Sequence, residues 1–364
     1  MVDEKTPKKP SAKALAWPLF DRIVADGLSE WGTYSNPWIR EKDGSLRFQP
    51  DYPTLQRLLG VPLHLKAETT TGVPALALDV WIAYELRRAG FAPDTVWPRA
   101  THPRIMPATI TALLDALPKG QASELRERLA KEGNVRGVTQ SSASILGKNY
   151  SKQVDVIMAD WSTGPELMIS TKRMDSSYGK NAPNRVEESY GDAKNLRLRH
   201  PLAALGFAFG LRNDVFDKEP LTAEWLLDLL GKLGREDDAY HATCVILMEY
   251  GENVPALPDD GGDDEDRGVA AGLEGPPPDE EEPVEVTESE IDRTLAQLPW
   301  VRIDHTRTPQ NLSPATFLAT MVNHVLETTP VNMHVAARRA RLEAGASTGI
   351  NSRAGTHGDN GGTP

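Results

Sequence analysis

The chain has 364 residues, of which 39% are hydrophobic and 25% charged, enough for two domains of ordinary size or one large domain with additions. Its single cysteine, Cys244, excludes an internal disulfide framework and a cysteine-based zinc quartet. The charged N-terminal stretch carries no apolar leader segment and no run of 18 apolar residues follows, so a cytoplasmic chain without a membrane span is expected.

In chain order, residues 12–147 read as mainly helical. Apolar residues recur at helical spacing over residues 15–31, over 75–89 up to Gly90, and over 109–117, ahead of a charged helix at 123–131. From Gln153 the period changes. Two short apolar and β-branched runs, 154–160 and 167–174, flank the turn-forming residues 161–165 and predict a β-hairpin. A polar loop, 175–183, then leads to a helix whose first turn is marked by Pro183 and Asn184. An apolar segment at 202–211, a helix at 223–233 and a buried strand at 242–250 complete a core over residues 148–257.

The net charge of −12 is concentrated just beyond that core. Residues 258–283 carry eleven acids and one base, Arg267, which leaves −2 for everything else. Because a local patch governs an encounter with phosphates, a polyanionic partner stays open. The same stretch is rich in Gly and Pro and nearly devoid of apolar side chains, too few to offset its ordering entropy. It is expected to be a disordered insertion, as are residues 1–11 and the tail 344–364. Between insertion and tail, helices at 288–298 and 313–327 make residues 284–343 a C-terminal helical region. The fold class is α/β with few strands.

The hairpin carries the candidate chemistry. Centring its turn between Thr163 and Gly164 pairs Asp155 with Lys172 and sets Ser170 on the same face, while Val154, Val156, Met158, Leu167 and Ile169 fill the reverse face. A carboxylate holds Mg²⁺ as a hard oxygen ligand, the ion polarises a phosphodiester and acidifies a bound water, and a nearby lysine stabilises the developing charge. A second carboxylate is available on the next helix, from Glu187 or Glu188.

Asp155, then Ser170, Thr171 and Lys172, then Glu187 and Glu188 resembles the PD-(D/E)XK nuclease superfamily, whose core sets the acid and the (D/E)XK triplet on adjacent strands followed by a helix. Val154 stands where the family often has proline, and Ser170 where the triplet's acid belongs. The pattern is similar to a subgroup of restriction endonucleases in which the triplet is SXK and a glutamate on the following helix supplies the carboxylate. The resemblance covers residues 148–209. It implies a restriction-endonuclease-like mixed sheet flanked by helices, with Asp155 and Glu187 or Glu188 as Mg²⁺ ligands, Lys172 as the catalytic lysine and Ser170 as its neighbour. It also implies a type II restriction endonuclease acting on double-stranded DNA, as a homodimer because cutting two strands takes two sites. The alternative is a non-catalytic nucleic-acid-binding or interaction protein with a degenerate nuclease-like core.

Residues 148–199 hold nine Lys or Arg against seven acids, and Arg173, Lys180, Arg185, Lys194 and Arg197 are the candidate DNA contacts among them. The loop 175–184 is a candidate to enter a groove. Glu166 is a weaker substitute ligand. Glu85 either approaches the metal or pairs with Arg88 at i+3 on a helix surface, and His200 caps or packs. Neither GxSxG, HExxH, GxGxxG nor GxxxxGK[ST] occurs, so serine hydrolase, zincin, dinucleotide and P-loop readings lose their anchors.

Overall fold

A computed structural model describes residues 10–132, 135, 138, 139, 143–235, 239–251, 284 and 286–346. The expected insertion at 258–283, residues 1–9 and the tail beyond 346 lie outside the described residues. The N-terminal part holds α1 (Ala12–Asp26), β1 (Trp38–Arg40), β2 (Leu46–Phe48), α2 (Tyr52–Leu65), α3 (Val73–Arg88), β3 (Val96–Trp97), α4 (Ala108–Ala116) and α5 (Lys119–Glu132). Next come β4 (Ala143–Leu146), β5 (Ser151–Val154), β6 (Val156–Asp160), β7 (Gly164–Met174), α6 (Tyr178–Arg197), β8 (Ala204–Arg212), α7 (Val215–Lys218), α8 (Pro220–Leu233) and β9 (Ala242–Tyr250). Then follow α9 (Glu288–Leu295), β10 (Val301–Ile303), α10 (Pro314–Thr328), α11 (Val335–Leu342) and β11 (Gly345–Ala346).

The centre is a six-stranded mixed sheet in the order β10-β9-β8-β7-β6-β3. β7, β8 and β9 run parallel, joined by helical crossovers through α6 and α8, while β6 and β10 pair antiparallel on either side. A parallel sheet needs both faces covered, and β8 shows how the sequence arranges it. Leu205, Phe207, Phe209 and Leu211 fill the core beneath α6 and α8, whereas Ala204, Gly206, Ala208 and Gly210 keep the other face flat. A Cβ on Gly206 would come within 2.7 Å of Phe317 and 2.8 Å of Met321, so α10 lies directly on the strand. α1, α2 and α3 share that face, their apolar side chains merging with those of β6, β7 and β9 in one core.

The structure corrects several boundaries. The C-terminal region is not wholly helical, since β10 extends the central sheet and Gly345–Ala346 pairs with β1. Ser11 is placed as the N-cap of α1, its hydroxyl accepting from Ala14 N. Most of the expected loop 175–184 is the start of α6, with Pro183 inside the helix. Tertiary anchors override the proline there: the Tyr178 hydroxyl donates to Asp175 O (2.9 Å) and to Asp214, and Gly179 N donates to Glu219 Oε2 (2.7 Å). Among the described residues, no helix is long and apolar enough to cross a membrane.

Glu85 is a wholly buried acid rather than a helix-surface one. Its carboxylate accepts from Asp51 N and from Arg88 Nη1, each at 2.6 Å, and burial pushes its pKa up to about 7 in spite of Arg88. Removing one partner of a buried ion pair strands the other, at a cost of about 3–5 kcal/mol. Glu85→Ala is therefore expected to lose stability of that order in urea unfolding; a loss below about 1 kcal/mol would contradict the pairing.

A second titratable cluster joins α6, β9 and α10. His241 Nδ1 accepts from Leu205 N at 2.9 Å, its ring lies 3.9 Å from that of His324, and Arg197 Nη1 is 3.0 Å from its Nε2. Burial first, then His324 and Arg197, hold its pKa down from 6.5 to about 4. A histidine with a depressed folded pKa contributes stability above its unfolded pKa and loses it as pH falls through the folded one. The melting midpoint should thus drop between pH 6.5 and pH 4, and drop less in His241→Asn; an equal drop in the variant would refute this source.

Candidate functional site

The site begins with a strand that leaves the sheet. β6 pairs with β7 through Val156↔Ile169, Ile157↔Met168 and Met158↔Leu167, two residues from the register expected, so Asp155 falls opposite Ser170 rather than Lys172. Ser170 and Lys172 share a face of β7 by alternation, and Asp155, at the point where the chain leaves the sheet, lines the same cleft as both. At Asp155 the chain turns away to pair β5 with β4. Val154 goes with it into the core beneath α6, instead of joining Val156 and Met158 on the reverse face. Beyond Ile169, β7 has no partner strand on that side among the described residues, and the Thr171 N–H, which needs an acceptor, donates to Asp155 Oδ2 at 2.7 Å. The Thr171 hydroxyl donates to Asp79 Oδ1 on α3.

Where β5 departs, a cleft opens with a cavity volume of about 110 Å³. The hairpin contributes Asp155, Ser170, Thr171 and Lys172, and α6 contributes Ser189 and Asp192. Residues 152–154 of β5 and Asp79, Lys13, Trp17, Trp97 and Arg104 of the N-terminal half complete the walls, with Phe207 of β8 also in the lining. Asp155, Ser170 and Lys172 are half-buried, each between buried neighbours.

Helix phase decides which acid of α6 reaches this cleft. The buried stripe runs through Ala182, Val186, Ser189, the adjacent pair Asp192 and Ala193, and Leu196, recurring every three to four residues as one helical face requires. Asp192 sits on the stripe and Glu187 is exposed on the other side. Glu188 is at the margin, 3.8 Å from Lys152 Nζ, whereas Asp192 Oδ2 is 2.9 Å from the same amine and Asp192 Oδ1 accepts from the Tyr150 hydroxyl at 3.0 Å. Burial and Asp192 push the Tyr150 hydroxyl up to about 12. Tyr240, fully buried and bonded to Ser189 O, is raised by burial and then by Asp192, Asp155 and Glu188, so all three carboxylates act on one hydroxyl.

The remaining candidates lie elsewhere. Arg173 is inside the protein, its Nε 2.9 Å from Asp175 Oδ2 and both side chains at most 1% exposed, which takes it off the surface a phosphate reaches. Arg185 is buried on α6; Lys180 and Lys194 are exposed on it; Arg197 faces His241 and Ala239 O. Glu166 accepts from Thr163 Oγ1 (2.6 Å) and lies 2.9 Å from His334 Nε2, outside the cleft lining. Glu85 is spent on Arg88 and Asp51 N, and His200 Nε2 lies 3.0 Å from Leu146 O. The sequence reading did not select Asp192, Asp79, Lys152 or the Trp17–Arg104 wall. A signal for Asp192 was present, because the stripe Ala182, Val186, Ala193, Leu196 fixes the inward face of α6.

For a divalent cation the donors are of the right kind. Mg²⁺ takes hard oxygens, commonly one or two carboxylates with water and phosphate oxygens in the other positions, and Asp155 and Asp192 line one cleft. Among the described residues, no three His, Cys, Asp or Glu side chains form a metal-holding group, so a metal here would rest on two acids at most. Scans against protein-family models, curated proteins and solved structures found nothing that matches this chain.

Proposed function

We propose that the cleft hydrolyses phosphodiester bonds of DNA with Mg²⁺, in the manner of an endonuclease. The observation that carries this reading is the meeting, in one cleft, of Asp155 from the junction of β5 and β6, Lys172 from β7 and Asp192 from the helix that follows. Asp155 and Asp192 would hold the ion, which supplies polarisation of the phosphate and a water acidified toward hydroxide. Lys172 lines the same cleft as Asp155 and offsets charge that builds on the phosphate oxygens. Thr171 N–H fixes one oxygen of Asp155. The helix acid in this reading is Asp192 in place of Glu187, with Glu188 at the margin.

A second reading is a nucleic-acid-binding module that keeps the cleft without cutting. It is favoured by the Asp192–Lys152 pair at 2.9 Å, which already engages one acid. Incubating purified protein with DNA and Mg²⁺, Mn²⁺ or EDTA separates the two: the nuclease reading expects cleavage with either metal and none in EDTA. DNA that stays intact under all three conditions rejects it.

A further inference from the structure

We infer that this cleft takes an unpaired nucleic-acid strand with splayed bases, rather than an intact double helix; the inference draws its chemistry from the nuclease reading and its substrate from the walls. Depth comes first. Asp155, Ser170 and Lys172 are half-buried in a recess walled by α1 on one side and α6 on the other. A double helix carries its phosphates on a convex surface with paired bases behind them, and so presents them to groups that stand at a protein surface. Specific duplex interfaces spread over roughly 1,000–2,500 Å² of protein. The recess is narrow, a cavity of about 110 Å³, and offers no surface of that breadth. A strand that enters it must leave its partner outside.

The wall facing the acids has the chemistry of a base platform. The Arg104 guanidinium lies over the Trp17 ring, 3.8 Å from its centroid, and both of its terminal nitrogens are held by Asp21 at 2.8 and 2.7 Å. With its charge met by Asp21, Arg104 acts as a fixed plane more than as a phosphate contact. Unpaired bases stack on aromatic rings and on guanidinium planes, and do so with little regard to sequence. Bases inside a duplex already have both faces covered. Trp97, half-buried, adds aromatic surface to the same lining.

Charge permits this. The lining holds four cations, Lys13, Arg104, Lys152 and Lys172, against three acids, Asp79, Asp155 and Asp192, and with Asp21 on Arg104 the cleft is close to neutral in a chain of net charge −12. Lysines beside aromatic platforms hold single strands without base readout. DNA and RNA strands share this chemistry.

Fluorescence anisotropy in Ca²⁺ and in EDTA, where binding is read without cutting, tests the inference with labelled single-stranded DNA, RNA of the same sequence, a blunt duplex, and a duplex with one frayed end. Both single strands, or one of them, should bind at least tenfold tighter than the blunt duplex, and the frayed end should approach the single strand. Trp17→Ala and Arg104→Lys should each weaken single-strand binding about fivefold or more with circular dichroism unchanged. A blunt duplex bound as tightly as the tighter of the two strands overturns the inference, whether or not the variants fold. So does single-strand binding that neither folded variant weakens. The nuclease reading fails separately: strand binding without Mg²⁺-dependent cutting defeats catalysis alone, and equal cutting of blunt duplex and single strand defeats the strand preference alone.

Discussion

Lys172→Ala and Asp155→Asn are each expected to lower Mg²⁺-dependent cleavage by about 10²–10³-fold or more, the scale of removing one group that meets charge developing in a transition state. The choice of asparagine at position 155 matters. Asp155 has a structural duty as well, because its Oδ2 takes the Thr171 N–H where β7 loses its neighbour strand. Asparagine keeps an oxygen for that N–H and removes only the charge, so the thermal midpoint should stay close to that of the unsubstituted protein. Alanine at 155 would confound the two by leaving the amide without its acceptor. At Lys172 the loss should appear in kcat with little change in affinity for nucleic acid. Cleavage that survives both substitutions would remove these residues from the chemistry.

Asp192→Asn should lower cleavage at least tenfold and raise the Mg²⁺ concentration needed for half-maximal rate, while Glu187→Gln stays within about twofold. Position explains the contrast: Asp192 lines the cleft beside Ser189, and Glu187 faces outward. Lys152 would remain near Glu188 in the Asp192 variant, at the 3.8 Å separation of the present arrangement, so its amine would not lose every partner. Measuring the rate against Mg²⁺ concentration for both variants decides it. A severe defect in Glu187→Gln with a silent Asp192→Asn would return the ligand role to Glu187 and imply a different face of α6.

Much of the scaffold was legible because its signals are local. Alternation with turn residues at 161–165 marks the hairpin, and an unbroken apolar run marks β9, whose bounds Ala242–Tyr250 are those read from the sequence. What failed depends on partners distant in sequence. Ala204, Gly206, Ala208 and Gly210 read as weakly apolar until α10 is laid across them, so β8 shows only as an apolar segment. The start of α6 was misplaced because Pro183 is a strong local stop, whereas the Tyr178 and Gly179 anchors come from Asp214 and Glu219. The site followed the same rule. Ser170 and Lys172 share a face by strand alternation whatever the register, and Asp155 lines the same cleft although the pairing is two residues from that expected. Choosing the acid on α6 required helix phase, which nearness in sequence to Lys172 obscured. Val154 was misassigned because nothing local shows that the chain turns out of the sheet at Asp155, although that turn is what opens the cleft.

The most direct measurement is a crystal of the protein grown with Mn²⁺ and a phosphorothioate single strand, with anomalous scattering used to find the metal. The account predicts manganese in the cleft, coordinated by the Asp155 carboxylate, with a strand oxygen among its ligands and the Lys172 amine directed at the same phosphate. A strand bound with no manganese at Asp155, or manganese held only at sites away from the cleft, would contradict it.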